Sequence, residues 1–416
     1  MKKIILLSVI FIIHYSLFIN NCFSQWIWQQ SGTQSPIRDV EFLNRYTGYF
    51  CGNGVIGKTT NAGENWTLLN HPATNKSLQS INPVDSNVVY CVGYFETILK
   101  STDGGANWIV IKNGPWGSGH SYLSSYFINE NTGWIGGTGE KLFKTTNGGA
   151  TLDSVYLESY MYDMYFRDSL DGVICGIGTI HKTTNGGVNW IPANIQLNGV
   201  FYEFYKITFV NDQYGWVVGN TNPVYRTTDF GSNWDSIGYV TGSSFTNCVH
   251  FSSQMIGWAG GSYGKFFKST DSGFTWKREN TGTFTGYITS AYFYNDSVGW
   301  LVGNGGRIQH TTTSGQTLVN ISIKGNSVPE NFILYQNYPN PFNSQTTIEF
   351  YIKEKNIYRL EIYDLLGKKR EELLNKNLNA GSYKVTYIAD KLSSGVYFYR
   401  LVSNKINITK SFLLIK

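Results

Sequence analysis

The chain has 416 residues, of which 16% are aromatic and only 15% charged, and it contains 45 glycines and 9 prolines. This composition is typical of an all-β protein with many turns, and the length allows two or three domains. The net charge of +5 is not gathered into a dense basic stripe, which argues against nucleic-acid binding.

The first predicted element is a secretory signal peptide spanning residues 1–24. Two lysines precede a long apolar run, and Cys22-Phe23-Ser24 places small residues where a signal peptidase cuts. Once this signal is removed, no remaining segment is long and apolar enough to cross a bilayer as a helix. We therefore predict a chain that passes through the periplasm.

Residues 25–324 contain a sevenfold repeat. The box KTTNGGVNW, Lys182–Trp190, recurs with a period near 42 residues, and its last fixed glycine stands at Gly63, Gly105, Gly149, Gly187, Gly231, Gly273 and Gly315. A Gly-aromatic strand such as TGWIGG and a segment ending in Phe such as MYF keep the same period. Four short antiparallel strands in about 42 residues are the signature of a β-propeller blade.

The box itself is predicted to be structural. Asn185, or an aspartate in its place, accepts backbone N–H bonds from the turn that follows, and Gly187 supplies a positive φ. The tryptophan that closes five of the boxes is predicted to pack at the blade interface. These structural tryptophans are Trp66, Trp108, Trp190, Trp234 and Trp276.

This pattern resembles the Asp-box, or bacterial neuraminidase repeat. Together with the paired G-W-x-x-G motif it is most similar to the propellers of the photosystem II assembly and stability factor type. The resemblance implies a seven-bladed β-propeller. It does not imply one activity, because Asp-boxes occur in sialidases, xyloglucanases, sortilins and non-enzymes.

Two segments compete to complete blade seven. Trp26–Gln30 has the spacing of a displaced outer strand and carries a tryptophan, so we favour it over the alternative, Thr317–Ile323. Either choice leaves few free sheet edges.

Candidate ligand-binding residues lie on the innermost strands, just before the Phe positions. They are predicted to line the central channel, either around a ligand or around water, and they are Asp39, Glu41, Asp163, Lys206 and His250. The Tyr-rich stretch Tyr156–Asp163 is predicted to supply strand-core aromatics, with a surface for sugars or peptides as the alternative. The four cysteines after the signal, Cys51, Cys91, Cys175 and Cys248, lack metal-ligand spacing, so we predict buried apolar residues and no cofactor.

The favoured function is binding of a protein or glycan by the propeller. A sialidase needs three converging arginines, and arginines are few in the repeat region; a xyloglucanase uses two propellers around a cleft, and this chain has one. A carbohydrate-active hydrolase and an assembly factor for an envelope complex remain as alternatives.

The last part of the chain differs in composition from the repeats. From residue 331 onward the net charge is +6, whereas residues 25–330 carry −3. We predict a linker at residues 325–331 and, over residues 332–416, a small antiparallel β-sandwich of the immunoglobulin-like kind.

The motifs of this module resemble the type A C-terminal sorting domain of type IX secretion. They are Tyr338-Pro339-Asn340-Pro341-Phe342-Asn343, then YDLLGK with Gly367, then SGVYFYRL with Gly395, and a terminal KSFLLIK. The resemblance implies recognition by the secretion translocon, removal by a sortase-like peptidase, and a mature protein that is secreted or held on the outer-membrane surface.

Overall fold

A computed structural model of the chain describes residues 26–139, 141–197, 202–220, 223–240, 242, 245–282, 284–312, 332–343, 345–389 and 392–415. The chain separates into two compact units, one within residues 1–315 and the other within 316–416. The predicted signal peptide, the linker at 325–331 and the alternative closing segment Thr317–Ile323 lie outside the described residues. Among the described residues no helix has the length and apolar character to span a membrane.

In the part of the chain that the structure describes, the first unit contains seven sheets built mainly of antiparallel strands, each corresponding to one repeat. From inside outward, the first three consist of Ile37–Phe42, Gly48–Gly52, Val55–Thr59 and Thr67–Leu68; Leu78–Pro83, Val89–Gly93, Thr97–Ser101 and Ile109–Lys112; Tyr122–Phe127, Gly133–Gly137, Lys141–Thr145 and Asp153–Tyr156.

The fourth to sixth sheets follow the same plan. They consist of Met161–Phe166, Gly172–Gly176, Ile180–Thr183 and Ile191–Pro192; Phe204–Phe209, Gly215–Gly219, Pro223–Thr227 and Asn233–Tyr239, with Asn194–Ile195 as a parallel fifth strand; Thr246–Phe251, Gly257–Gly261, Phe266–Ser269 and Lys277–Arg278, with a 3-10 turn at Ser262–Gly264.

The seventh sheet is completed from the other end of the chain. Ile288–Phe293, Gly299–Gly303 and Arg307–Thr311 are followed outward by Ile27–Gln30, which pairs antiparallel with Arg307–Thr311. The preceding Trp26 is buried and meets the ring of Phe293 edge-on at 6.0 Å. Four of the five box tryptophans meet the Phe of their own blades in the same way, and these are Trp66, Trp190, Trp234 and Trp276. The N-terminal strand therefore supplies blade seven with the equivalent tryptophan.

The inner strands form a closed ring. Each inner strand contacts the inner strands of the two neighbouring sheets, and the last of them, Ile288–Phe293, contacts the first, Ile37–Phe42. The all-β propeller prediction is confirmed.

Aromatic stacking joins neighbouring blades. Trp134 stacks on Phe166 of the next blade at 3.6 Å, and its indole N–H donates to the carbonyl of Gly186 in that blade's box. Trp300 stacks on Phe42 at 3.7 Å and so joins blade seven to blade one. These two tryptophans, each on the second strand of its blade, are fully buried, and each adds a large apolar ring to the contact between two blades.

The box is a hydrogen-bonded clamp, as predicted. In blade four Gly187 N–H donates to Thr183 Oγ1 at 2.9 Å, and Asn189 N–H donates to Asn185 Oδ1 at 2.9 Å. The indole of Trp190 donates to the Gly187 carbonyl at 3.1 Å. Of the five box tryptophans, Trp66 and Trp234 are buried, while Trp108, Trp190 and Trp276 are partly buried against the core.

We expect Thr183→Val to destabilise the propeller by about 1–3 kcal/mol, because the buried Gly187 N–H loses its acceptor. Thr183→Ser is the matched control, since Ser101 and Ser269 perform this role in other blades. Urea unfolding followed by tryptophan fluorescence measures the difference. Equal stability of the valine and serine variants would contradict the clamp.

In its described residues the second unit has two sheets around one core. One contains Ile333–Leu334, Gln345–Ile352 and Gly381–Ile388, and the other contains Lys369–Leu378, Asn356–Tyr363, Gly395–Val402 and Asn407–Leu414. Apolar residues from both sheets, such as Phe350 and Leu401, belong to a single buried cluster.

The predicted sorting motifs occupy distinct positions in this unit. Phe342 is buried in the core, whereas Tyr338 is 81% exposed. Asn340 Oδ1 accepts a hydrogen bond from Leu413 N–H, which ties the first motif to the last strand. Gly367 has a positive φ of 74° in the turn of YDLLGK, and Gly395 begins the third motif's strand.

Candidate functional site

The six-residue inner strands line the channel in the same way around the ring. In most blades the second and fifth residues are half-buried, while the residues between them are buried. The second positions contribute to a pocket at the end of the channel where the inner strands begin, and the fifth positions contribute to a cavity nearer the other end. We call these the mouth pocket and the inner cavity.

The inner cavity brings together all five residues that were singled out from the sequence. Its volume is about 350 Å³, and its walls include Asp39, Glu41, Asp163, Lys206 and His250. Their roles in the structure differ, because some of these side chains are already bonded to neighbouring blades.

Asp39 and Asp163 connect blades. Asp39 accepts hydrogen bonds from Ser290 Oγ at 2.9 Å and from the Ile81 N–H at 3.1 Å, so it joins blade one to blades seven and two. Asp163 joins three blades in the same manner, accepting from Ser124 Oγ and from the Ile207 N–H, both at 3.0 Å. Inner strands present backbone amides to the channel, and these carboxylates satisfy them.

Glu41 has no hydrogen-bond or ion-pair partner among the described residues, although it lines the same cavity. Burial, and then the nearby charge of Asp39, raise its pKa to about 8. Its carboxyl group is therefore mostly protonated at neutral pH and has an O–H to donate.

Lys206 supplies the positive charge of the inner cavity. Its Nζ lies 3.3 Å from Asp163 Oδ2, and the neighbouring carboxylates, Asp163 foremost, raise its pKa despite the opposing effect of burial. About a quarter of its side chain stays accessible to the cavity. The ammonium group therefore remains charged and within reach of a ligand.

His250 lines the inner cavity and packs against an aromatic ring of the neighbouring blade. Its ring lies 5.3 Å from that of Tyr292, and burial lowers its pKa to about 4. It is therefore neutral at physiological pH, and its contribution to a ligand is a hydrogen bond or a ring contact.

The mouth pocket contains residues that were not singled out as ligand-binding. Its volume is about 530 Å³, and it is lined by Arg38, Gln79, Asn247, Tyr287, Thr289 and Asn304, together with Pro36. A usable signal existed: Arg38, Gln79, Asn247 and Thr289 all stand four places before the repeated Phe position or its substitute.

The prediction that Tyr156–Asp163 supplies core aromatics is wrong for two of its tyrosines. Tyr156 is 61% exposed on an outer strand, and Tyr160 is 38% exposed just before an inner strand. The core positions there are taken by Leu157 and Met161 instead.

The four cysteines are buried and free, as predicted. No cluster of three or more His, Cys, Asp or Glu side chains suited to a metal ion occurs in the part of the chain that the structure describes.

Two family models match parts of the chain. Residues 336–416 match the secretion system C-terminal sorting domain, and residues 152–243 match the photosynthesis system II assembly factor YCF48. No curated protein matches. The first of these matches indicates export by type IX secretion to the cell surface or beyond.

Similar solved structures are propellers. A structure of YCF48 bound to D1 peptide has 20% identity and a TM-score of 0.59, covering 70% of this chain and 98% of its own. YCF48 from Cyanidioschyzon merolae has 18% identity and the same TM-score, covering 70% and 99%.

A catalytically inactive virginiamycin B lyase from Staphylococcus aureus with quinupristin has 12% identity and a TM-score of 0.57, covering 69% and 98%. At these identities the likeness concerns the fold. Residues 336–416 thus form a secretion system C-terminal sorting domain, and the propeller that precedes it is similar to the photosystem II assembly factor YCF48.

Proposed function

We propose that this exported propeller is a binding protein that holds a segment of another protein in its inner cavity. The observation that carries the proposal is Glu41: a channel carboxyl group with no protein partner, a raised pKa and an open cavity beside it. A half-buried carboxyl group that faces an open cavity is available to a ligand, and a ligand that covers it must supply a hydrogen bond.

The surroundings of Glu41 suit a peptide. Lys206 and the protonated Glu41 are donors, Asn82 keeps its amide donors while its oxygen accepts from the Phe127 N–H, and Thr208 offers both a donor and an acceptor. Such a mixture matches the alternating carbonyl and amide groups of a peptide backbone. The similar propeller YCF48 has been seen with a bound peptide, which supports a protein ligand here as well.

The experiment is a capture of envelope and secreted proteins by the purified chain, followed by titration with the captured partner. We expect Glu41→Ala to weaken binding about tenfold or more, because the ligand loses a buried hydrogen bond. Glu41→Gln keeps a donor and is expected to bind nearly as well. Glu64→Gln, at an exposed box position, is the matched control.

The pH dependence gives a second readout. Below pH 8 the Glu41 carboxyl is protonated and donates; above pH 8 it ionises, so binding by the native chain should weaken as the pH rises through about 8. Glu41→Gln has nothing to ionise there and should lose this dependence. A native chain whose affinity does not change between pH 6 and pH 9 would argue against Glu41 as the contact.

The same experiments distinguish a glycan ligand, and a role as an assembly factor, from the binding of a single protein partner. A glycan is the second candidate ligand, because the rings of Tyr126 and Tyr165 line the cavity. Glycan-array binding that depends on Glu41, with no captured protein, would replace the protein ligand. A captured multi-protein envelope complex would instead make the chain an assembly factor.

A hydrolase remains a candidate because a glutamate held protonated at pH 7 is suited to general-acid catalysis. The nearby carboxylates of Asp39 and Asp163 are engaged in bonds between blades, which counts against a second catalytic group. Turnover on a glycan panel that Glu41→Gln abolishes would favour the hydrolase.

A further inference from the structure

The mouth pocket holds a guanidinium group that is bonded on one side only among the described residues. Arg38 is half-buried, and its Nε donates to Asn53 Oδ1 at 3.4 Å. Its two Nη groups have no hydrogen-bond or ion-pair partner among the described residues. Asn53 is held in turn by Ser77, whose Oγ lies 2.5 Å from Asn53 Oδ1. The arginine is thus positioned from one side while the outer edge of its fork is left free.

The described residues that line the mouth pocket carry one charge, the positive charge of Arg38. None of the described residues that line it is acidic, and Arg38 is its one cation. A guanidinium fork matches a carboxylate with two parallel hydrogen bonds. A doubly charged phosphate is less well matched, because one cation leaves half of its charge uncompensated. The pocket therefore suits a monoanion.

The remaining walls suit a sugar ring. Gln79, Asn247 and Asn304 carry amide groups, which both donate and accept and so fit vicinal hydroxyl groups. Asn247 uses one donor on the Ile288 carbonyl, which leaves its oxygen available. Tyr287 is 44% exposed and offers an aromatic ring at the same pocket. Amides, an aromatic ring and one guanidinium together describe a polar, ring-shaped, carboxylate-bearing ligand.

We propose that the mouth pocket binds a hexuronate residue of an acidic polysaccharide, with Arg38 pairing its carboxylate. The site is separate from the inner cavity: Arg38 is the second residue of its strand and Glu41 the fifth, about 10 Å apart at the usual rise of a strand. Binding at the mouth pocket therefore depends on Arg38, whereas binding at the inner cavity depends on Glu41.

The test is calorimetric titration of the full chain with uronate oligosaccharides of three kinds: trigalacturonate, trimannuronate and a glucuronate-containing tetrasaccharide. Each is compared with its own methyl ester, which keeps the ring and removes the charge. We expect at least one free acid to bind about tenfold or more tightly than its ester. Arg38→Gln should abolish that difference, and Arg38→Lys, which keeps the charge without the fork, should reduce it.

The control is Glu64→Gln, at an exposed box position outside both pockets, which is expected to leave uronate binding unchanged. Tryptophan fluorescence and urea unfolding establish that each variant is folded. The proposal is overturned if none of the three acids binds, if acid and ester bind equally, or if Arg38→Gln retains the preference for the acid. Arg38-dependent binding of a peptide with a free C-terminal carboxylate, without uronate binding, would replace the sugar with a protein ligand.

Discussion

Replacing Asp163 by alanine is expected to destabilise the propeller by about 3–5 kcal/mol, the cost typical of breaking a buried ion pair from one side. Asp163 is 7% exposed and joins its own blade four to blade three through Ser124 and to blade five through Lys206 and the Ile207 N–H. Alanine leaves the Lys206 ammonium without its closest counter-charge and the Ile207 amide without an acceptor. The Ile207 amide lies in a buried residue, whereas Lys206 keeps about a quarter of its side chain accessible, so the lost amide bond is the one that water replaces less well.

The measurement can be confined to the propeller, because every tryptophan of the chain lies before residue 301. Urea unfolding followed by tryptophan fluorescence therefore does not report on the sorting domain. Asp163→Asn keeps an oxygen acceptor and should be less harmful than alanine. Adding Lys206→Met to the alanine variant should restore part of the loss, because the unpaired ammonium is removed.

A loss below about 1 kcal/mol for Asp163→Ala would mean that the three bonds do not couple the blades. If Lys206→Met does not raise the stability of the Asp163→Ala variant, the lost stability comes from the hydrogen bonds to Ser124 and to the Ile207 N–H alone. Ser124→Ala removes only a neutral partner and is expected to have the smallest effect of the series.

The repeat made the blades predictable, because period, turn residues and alternation all agree within each unit. Trp26 was recognised as part of blade seven because its distance from Phe42 is close to the box spacing. The joints between blades were harder to predict. The tryptophans of the G-W-x-x-G motif, such as Trp134, stack on the Phe of the next blade. The residue pattern within one repeat does not show which residue of the next repeat it will contact.

The candidate site shows the same limit. Alternation placed Asp39, Glu41 and Asp163 at the channel, but it could not tell a bonded carboxylate from a free one. That distinction depends on which side chain of the neighbouring blade stands opposite. Ser290 donates a hydrogen bond to Asp39 and Ser124 donates one to Asp163, whereas no described side chain donates to Glu41. The sequence alone does not indicate that Arg38 is a binding residue, because the amide side chains that surround it come from other blades.

Deleting residues 332–416 is expected to abolish display at the cell surface and to leave the propeller in the periplasm. The match of residues 336–416 to the sorting-domain family assigns export to this unit, and the propeller is a compact unit by itself. Protease accessibility of intact cells, compared with that of periplasmic extracts, measures the distribution. Unchanged surface display of the shortened chain would refute the assignment.

Point variants can separate loss of recognition from loss of folding in the sorting domain. Phe412 is 1% exposed and packs against Phe342 of the first motif, so Phe412→Ala should unfold the module and block export like the deletion. Leu366 is 93% exposed on the turn of the second motif, where an apolar side chain contributes nothing to the core. Leu366→Ser should leave the module folded, so a fall in surface display for this variant would identify the turn as a contact for the translocon. Normal display of Leu366→Ser would instead direct attention to Tyr338, which is 81% exposed in the first motif.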